Sequence, residues 1–450
     1  MQDEQLNTDE IGVLVKKFVH RLKDVDDAIT IFVPKAIDEY NARVGKAQDL
    51  YKKFLDFKNA NPEQFPDFED DLEEELEGEN NDGQYSKVAC DIQEHEALIA
   101  MNQAARIYMA VDNSNIVSTL SQALFLNLFS ILDAFSGELL ETLYRLKPEL
   151  YRTLNKAVSF DIIMAAENID VIKKKILDDE IESFRRESYV AQFENLERRF
   201  KLGTLTNFSY WKAFVEYTQK RNVLMHCDGI VSEQYIQVCK KAGIKDKQLP
   251  KVGERLKLES VDVLVASHII GQTGIMLAYT LWNKLFPKDR ESLDQNLHNL
   301  CFEFLMEESW LHGADVGEFI ENSLPPNDAA TAKMNIINLA IAYKATKKSD
   351  RLNETLSKVD WSLLSLDFRL AESVLLDQYD KAATYMKKIG AEGDYIRRGS
   401  YHEWPLFREF RNSEEFLDAY KFVYQEAFVS NQAIEMNEKV QKIAPKEDAL

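Results

Sequence analysis

Four cysteines in 450 residues (Cys90, Cys227, Cys239, Cys301), none in a CxxC pair, argue against a disulfide framework and a cysteine-rich zinc site. Glycine (16) and proline (10) are also sparse, which disfavours turn-rich all-β folds and favours long helices. There is no unbroken run of about 18 apolar residues, so no membrane span is expected. Met1-Gln2-Asp3-Glu4-Gln5 lacks the basic start and apolar core of a secretory signal, and a cytoplasmic location is expected. No GxSxG elbow or glycine-rich phosphate loop occurs. The histidines outside one stretch (His20, His95, His268, His298, His312, His402) show no HExxH or HxH spacing, so neither a metal site nor a cofactor is expected.

Basic charge is the other shortage. With 55 basic against 76 acidic side chains the net charge is −21, which argues against generic nucleic-acid binding by bulk attraction. The excess sits at the two ends. Residues 1–82 carry 22 acids and 10 bases, residues 291–450 carry 28 and 18, and residues 83–290 are balanced at 26 and 27. A local basic cleft is therefore expected only in the middle of the chain, and the whole-protein field would repel RNA rather than steer it. Asp67 to Asp82 holds ten acids and no base. It reads as a solvated acidic linker, with an RNA-mimicking lid as the sharper alternative.

What is present is helical periodicity, and the expected fold class is all-α. Residues 1–58 read as an N-terminal helical segment, with Ile11, Leu14, Val15, Phe18 and Leu22 at helical spacing and Pro34 dividing two helices. An acidic linker is expected over 59–85. A helical bundle is expected over 86–290, beginning with a helix at 86–112. Val117–Leu146 follows, apolar along Leu120, Leu124, Leu128, Ile131 and Phe135 and also off that stripe at Phe125, Phe129 and Leu132, as in a central bundle helix. Asp133 interrupts this surface, and a buried carboxylate needs a partner such as an arginine from a neighbouring helix. Helices over 158–176 and 178–200 come next, with Arg185, Arg186, Arg198, Arg199 and Lys201 assigned to the second or just past it.

A helix over about 208–227 stops at Asp228-Gly229. A short helix follows at 232–242, and Ser260 is expected to cap one over 261–286. From 291 to 450 a separate, tetratricopeptide-like helical region is expected. Within it Leu339-Ala340 with Tyr343 recurs loosely as Leu370-Ala371 with Val374. The offset is 31 residues, short of the roughly 34 of an ideal tetratricopeptide repeat.

One stretch offers chemistry: Arg221-Asn222-Val223-Leu224-Met225-His226, at the end of a helix. Arg221 and His226 are about 140° apart around a helix, whereas Asn222 and His226, at i and i+4, share a face. The helix dipole in the last turn favours a protonated imidazole. An imidazole that moves a proton beside a guanidinium that stabilises phosphate charge is a working pair for phosphate chemistry. By itself the pair also fits a surface arginine and a helix-capping histidine.

The stretch resembles the motif of the HEPN superfamily of helical domains, whose ribonuclease members carry Arg-polar-X3-5-His near the end of a late helix. The preceding Tyr210-Trp211-Lys212-Ala213-Phe214 and the following Cys227-Asp228-Gly229 turn are similar too. So is the Leu128–Phe135 helix, which supplies the acid Asp133. The likeness spans roughly residues 86–290. It implies metal-independent RNA cleavage: the 2′-hydroxyl attacks the adjacent phosphate and leaves a 2′,3′-cyclic phosphate and a 5′-hydroxyl. His226 would transfer the proton and Arg221 would hold the phosphate. Asn222 would orient His226 or the RNA, and Asp133 would hold Arg221 or His226. The resemblance also implies a homodimer with two motifs facing one cleft, and a bacterial toxin or antiphage-defence role. Arg185, Arg186, Arg198, Arg199, Lys201 and Lys220 are the candidate RNA contacts, or else a solvated charged face. Two other readings stay open. One is a non-catalytic dimerisation protein whose repeats bind a protein partner. The other is a module that binds a nucleotide through the same arginine and histidine without cleaving RNA.

Overall fold

A computed structural model of the chain describes residues 8–62, 92–112, 115–154, 156–203 and 205–429. Most of the acidic stretch expected at 59–85 lies outside the described residues, as do Cys90 and positions 430–450. The fold is all-α, with 17 α-helices and only isolated β-bridges among the described residues.

The first helix, α1 (Asp9–Ala60), is one element of 52 residues, where two had been expected. Pro34 lies inside it and is exposed. Proline removes one backbone hydrogen bond at about 3 kcal/mol. The stripe of Val25, Ile29 and Val33 before it, and Ala47 and Phe54 beyond it, are buried all the same. Packing on both sides outweighs the local break. Ile11 to Val33 share a single core with the long helices α3 (Ile116–Leu146) and α9 (Ser260–Leu285). Phe18 stacks on Phe135 of α3 at 4.2 Å and lies over Gly274 of α9, where any Cβ would strike its ring. The second helix, α2 (Ile92–Asp112), pairs with α1. The His95–Leu146 stretch and α9 are apolar and long enough to cross a membrane by length and composition, and most of that surface in α9 is buried inside the bundle.

Three connections place the later helices. After the short α4 (Phe160–Ala165), Asn168 caps α5 (Ile169–Arg186) by accepting from the amides of Asp170 and Val171. Ser188 caps α6 (Tyr189–Phe200) by accepting from Ala191. These caps, rather than the expected break near residue 177, divide the region. Arg185 and Arg186 therefore close α5, and Arg198 and Arg199 close α6. The helices α7 (Trp211–His226) and α8 (Glu233–Lys241) follow. Glu259, not Ser260, is the N-cap of α9, where Asp262 Oδ2 accepts from the Glu259 amide at 2.9 Å.

The bundle core runs beyond residue 290. It takes in Leu293 to Phe304 of α10 (Arg290–Met306) and Val316 to Ile320 of α11 (Trp310–Ser323). A second core is built from α12 (Ala329–Ala345), α13 (Ser349–Ser357), α14 (Leu366–Leu375), α15 (Tyr379–Ile389), α16 (Arg398–Glu403) and α17 (Glu414–Tyr424). The hairpins α10/α11, α12/α13 and α14/α15 turn alike. Glu308, Lys347 and Asp377 adopt left-handed φ of 59°, 57° and 57°. The next amide in each case bonds back to Phe304, Tyr343 or Ser373 at 2.8 Å, which closes the helix end in a Schellman arrangement. The turns set Tyr343 against Ser373, so the expected match of Tyr343 with Val374 is one residue out of register.

A half-buried polar cluster ties α9 and α11 to Tyr210. His268 Nε2 donates to Asp315 Oδ2 at 2.7 Å, Tyr210 donates to the same oxygen at 2.8 Å, and His268 Nδ1 lies 3.1 Å from His312 Nε2. Burial, then the charge of His268, pushes the His312 imidazole down to about 3 from its ordinary 6.5. Burial raises the neighbouring Asp26 carboxyl to about 6 from 3.8. The signs oppose. Between pH 6.5 and about 3 the unfolded chain holds the extra proton on His312, so stability falls as pH falls. Between about 6 and 3.8 the native state holds it on Asp26, so stability rises as pH falls. Urea titrations from pH 6 to 4 are expected to show Asp26→Asn losing about 1.4 kcal/mol per pH unit relative to wild type. His312→Phe should gain over the same interval. Parallel curves for all three proteins would refute the assignment.

Candidate functional site

The Arg–His stretch forms one wall of a cavity of about 370 Å³. Val223 is 3% exposed and anchors this end of α7 in a small core with Val231, Tyr235 and Cys239. That leaves Arg221 and Asn222 half-buried and His226 exposed in the last turn. The helix stops as Asp228 (φ 48°) and Gly229 (φ 76°) turn left-handed. The Gly229 amide returns to the carbonyl of Val223 at 3.1 Å, and Arg255 clamps the turn by donating to the backbone and carboxylate oxygens of Asp228, each at 2.7 Å.

The opposite walls come from α3 and the α5–α6 corner. Asp133, Arg185, Arg186 and Tyr189 line the same cavity as Arg221, Asn222 and His226. Burial raises the Asp133 carboxyl above its ordinary 3.8, against the hydroxyl of Tyr189 and the charges of Arg221 and Arg185, which pull it down. Tyr189 is 7% exposed. Burial, then the charge of Asp133, raises its phenol well above the usual value, so Tyr189 keeps its proton beside Asp133. Its ring is fixed against Phe129 and Phe214. The partner that the buried acid was expected to need is thus a tyrosine, with the two arginines acting through space.

Arg185 reaches the cavity by crossing α3. Its Nε donates to the backbone carbonyl of Asp133 at 3.2 Å, and its guanidinium occupies the space that a side chain at Gly137 would fill. Arg221 Nη1 donates to Asn222 Oδ1 at 3.2 Å, so Asn222 steadies the guanidinium rather than the imidazole one turn on. Arg186 lines the cavity but forms a surface ion pair with Glu182, an interaction of small energetic weight.

The other basic candidates are elsewhere. Arg199 is buried in an ion pair with Glu180 and donates to the Tyr144 hydroxyl at 3.1 Å. Lys220 pairs with Glu216 at 3.4 Å and lies 4.6 Å above the Tyr217 ring. Lys201 is the left-handed C-cap of α6, and Arg198 is exposed near the same end. None of the four lines the cavity. An α6 capped at Ser188 carries Arg198, Arg199 and Lys201 a helix length from the corner that Arg185 occupies, and Lys220 on α7 is held by Glu216.

Tyr189 and Gly137 were not singled out in the sequence. A tyrosine after a serine cap and a glycine in an apolar helix carry no site signal until the helices are packed. Comparisons of the chain with protein-family models, with curated proteins and with solved structures found no match.

Proposed function

We propose that the chain is a metal-independent endoribonuclease of HEPN type. The observation that carries this reading is the convergence of Asp133, Arg185, Arg221, Asn222 and His226, from three helices, on one cavity. In the proposed reaction the RNA 2′-oxygen forms a bond to phosphorus as the bond from phosphorus to the 5′-oxygen breaks. His226 takes the proton from the 2′-hydroxyl and a proton is returned to the departing 5′-oxygen. Arg221, steadied by Asn222, stabilises the charge on the phosphate oxygens. Asp133 balances the local positive charge, with neutral Tyr189 beside it, and Arg185 supports the flanking phosphate. No metal, oxidant or cofactor is consumed. The resemblance adds a homodimer with two motifs facing one cleft, and a bacterial toxin or antiphage role.

Total RNA or tRNA incubated with the purified chain in EDTA tests the reading. Products ending in 2′,3′-cyclic phosphate and 5′-hydroxyl are expected. Absence of cleavage, or cleavage equally strong in Arg221→Ala and His226→Ala, overturns it. Gly137→Ala gives a second check. Alanine in place of a mid-helix glycine adds up to about 1 kcal/mol of helix stability, and the atoms it meets are the movable end of Arg185. The melting temperature should hold or rise while cleavage drops to the level of Arg185→Ala. Unchanged cleavage would remove Arg185 from the site.

A further inference from the structure

A second cavity, of about 490 Å³, lies in the C-terminal region between α10, α12, α14 and the segment leading into α16. It shares no lining residue with the Arg–His cavity. Its volume lies in the range of small-molecule sites. Phe368 and Tyr395 form one aromatic wall with ring centroids 5.1 Å apart, and Trp404 lines it as well.

The polar groups here are unusual. Asn338 lines the cavity, is 1% exposed, and has no hydrogen-bond partner for either Oδ1 or Nδ2. Trp404 Nε1 is likewise buried and without a partner. Buried polar atoms are nearly always paired, and an orphaned pair points to a missing ligand or water. The other polar side chains on the lining are His298, whose Nδ1 lies 2.6 Å from Asn335 Oδ1, Asp367, whose Oδ1 accepts from the amides of Tyr395 and Ile396, Ser400, which accepts from the Arg397 amide, and Glu403. Arg397 is exposed on the lining, and among the described residues its guanidinium has no ion pair or side-chain hydrogen bond.

We propose that this cavity binds a nucleotide. A carboxamide offers one donor and one acceptor side by side. The ligand edge it satisfies must present an adjacent acceptor and donor in one plane, as adenine does with N7 and N6. Aromatic walls select a flat ring by stacking. A free guanidinium on the lining selects a negative charge attached to that ring, and a phosphate matches its fork. A planar base with a donor–acceptor edge and an appended phosphate meets all three requirements. The proposal does not depend on the ribonuclease reading, because binding is read directly.

The test is isothermal titration calorimetry on the full chain with ATP, AMP and adenosine, followed by GTP, CTP and UTP. Saturable binding to at least one nucleotide is expected. Asn338→Leu, which replaces the orphaned amide with an apolar side chain of similar size, should weaken it at least about 10-fold. Arg397→Ala should weaken a phosphorylated ligand about 10-fold and leave the corresponding nucleoside unchanged. If Asn338→Leu fails to fold by circular dichroism, Tyr395→Ala replaces it, since Tyr395 is 44% exposed and its loss leaves no closed void. No heat with any of the six compounds at millimolar concentration overturns the proposal. So does binding that neither cavity variant changes.

Discussion

Replacing His226 with alanine is expected to lower RNA cleavage by about 10²–10⁴-fold, the range that general acid–base catalysis supplies, and to leave the melting temperature where it was. His226 is exposed in the last turn of α7, so truncation opens no cavity and orphans no buried group. Arg221→Ala should cost about 10²–10³-fold by removing charge stabilisation of the transition state. Arg221→Lys should recover part of this, since a lysine keeps the charge and loses the planar fork. Asn222→Ala should fall between, because Asn222 Oδ1 is what the Arg221 guanidinium donates to. Single-turnover cleavage of an end-labelled RNA in EDTA, with the product ends characterised, gives all four numbers. If the alanine variants cleave like wild type, the proton-transfer and charge-stabilising roles are wrong. If they also melt early, the loss is one of folding.

Arg199→Ala is expected to cost about 3 kcal/mol of stability and nothing in catalysis. The Arg199–Glu180 ion pair is about 10% exposed on each side, and removing one partner of a buried pair leaves an uncompensated charge worth about 3–5 kcal/mol. The lower end applies because Lys156 still reaches Glu180 at 2.9 Å. Burial alone would raise the Glu180 carboxyl. Hydrogen bonds from Lys156 and Arg199 bring it below its ordinary 4.5. The native state therefore gains stability from the ionised carboxylate above pH 4.5 and loses it as the pH falls below that value. The difference between wild type and Arg199→Ala, measured by urea denaturation, should be fully present at pH 7 and narrow below pH 4.5. The double variant Arg199→Met with Glu180→Leu should regain most of the loss, because an apolar pair fills the site without a desolvation cost. RNA cleavage that drops with stability intact would return Arg199 to the phosphate contacts.

Arg185→Ala and Arg199→Ala separate two residues that look alike in the sequence. Arg185 and Arg199 occupy charged helices of similar composition, and both read as phosphate contacts or solvated charge. Only the packing distinguishes them. Arg185 crosses α3 over Gly137 to the Asp133 carbonyl, and Arg199 is consumed by Glu180 and Tyr144. Asp133 was recognisable as an anomaly, an acid inside an apolar helix. Its neighbour Tyr189 was not, because an interaction across 56 positions leaves no trace in local spacing.

Properties set by neighbouring residues were legible in the chain. The scarcity of glycine and proline and the 3.6-residue spacing of apolar side chains establish the all-α class, and Asp228-Gly229 marks the end of α7. These follow from backbone sterics and one-sided burial, which act within a few residues. Tertiary structure decided the rest. It carried α1 through Pro34, because burial on both sides outweighed the lost hydrogen bond. It built three matching hairpin turns on Glu308, Lys347 and Asp377, none of them the glycine that announces such a turn in sequence. And it brought Asp133, Arg185 and the Arg221–His226 stretch to one cavity. Long-range packing of that kind depends on which faces are left to cover, a quantity that exists only once the helices are assembled.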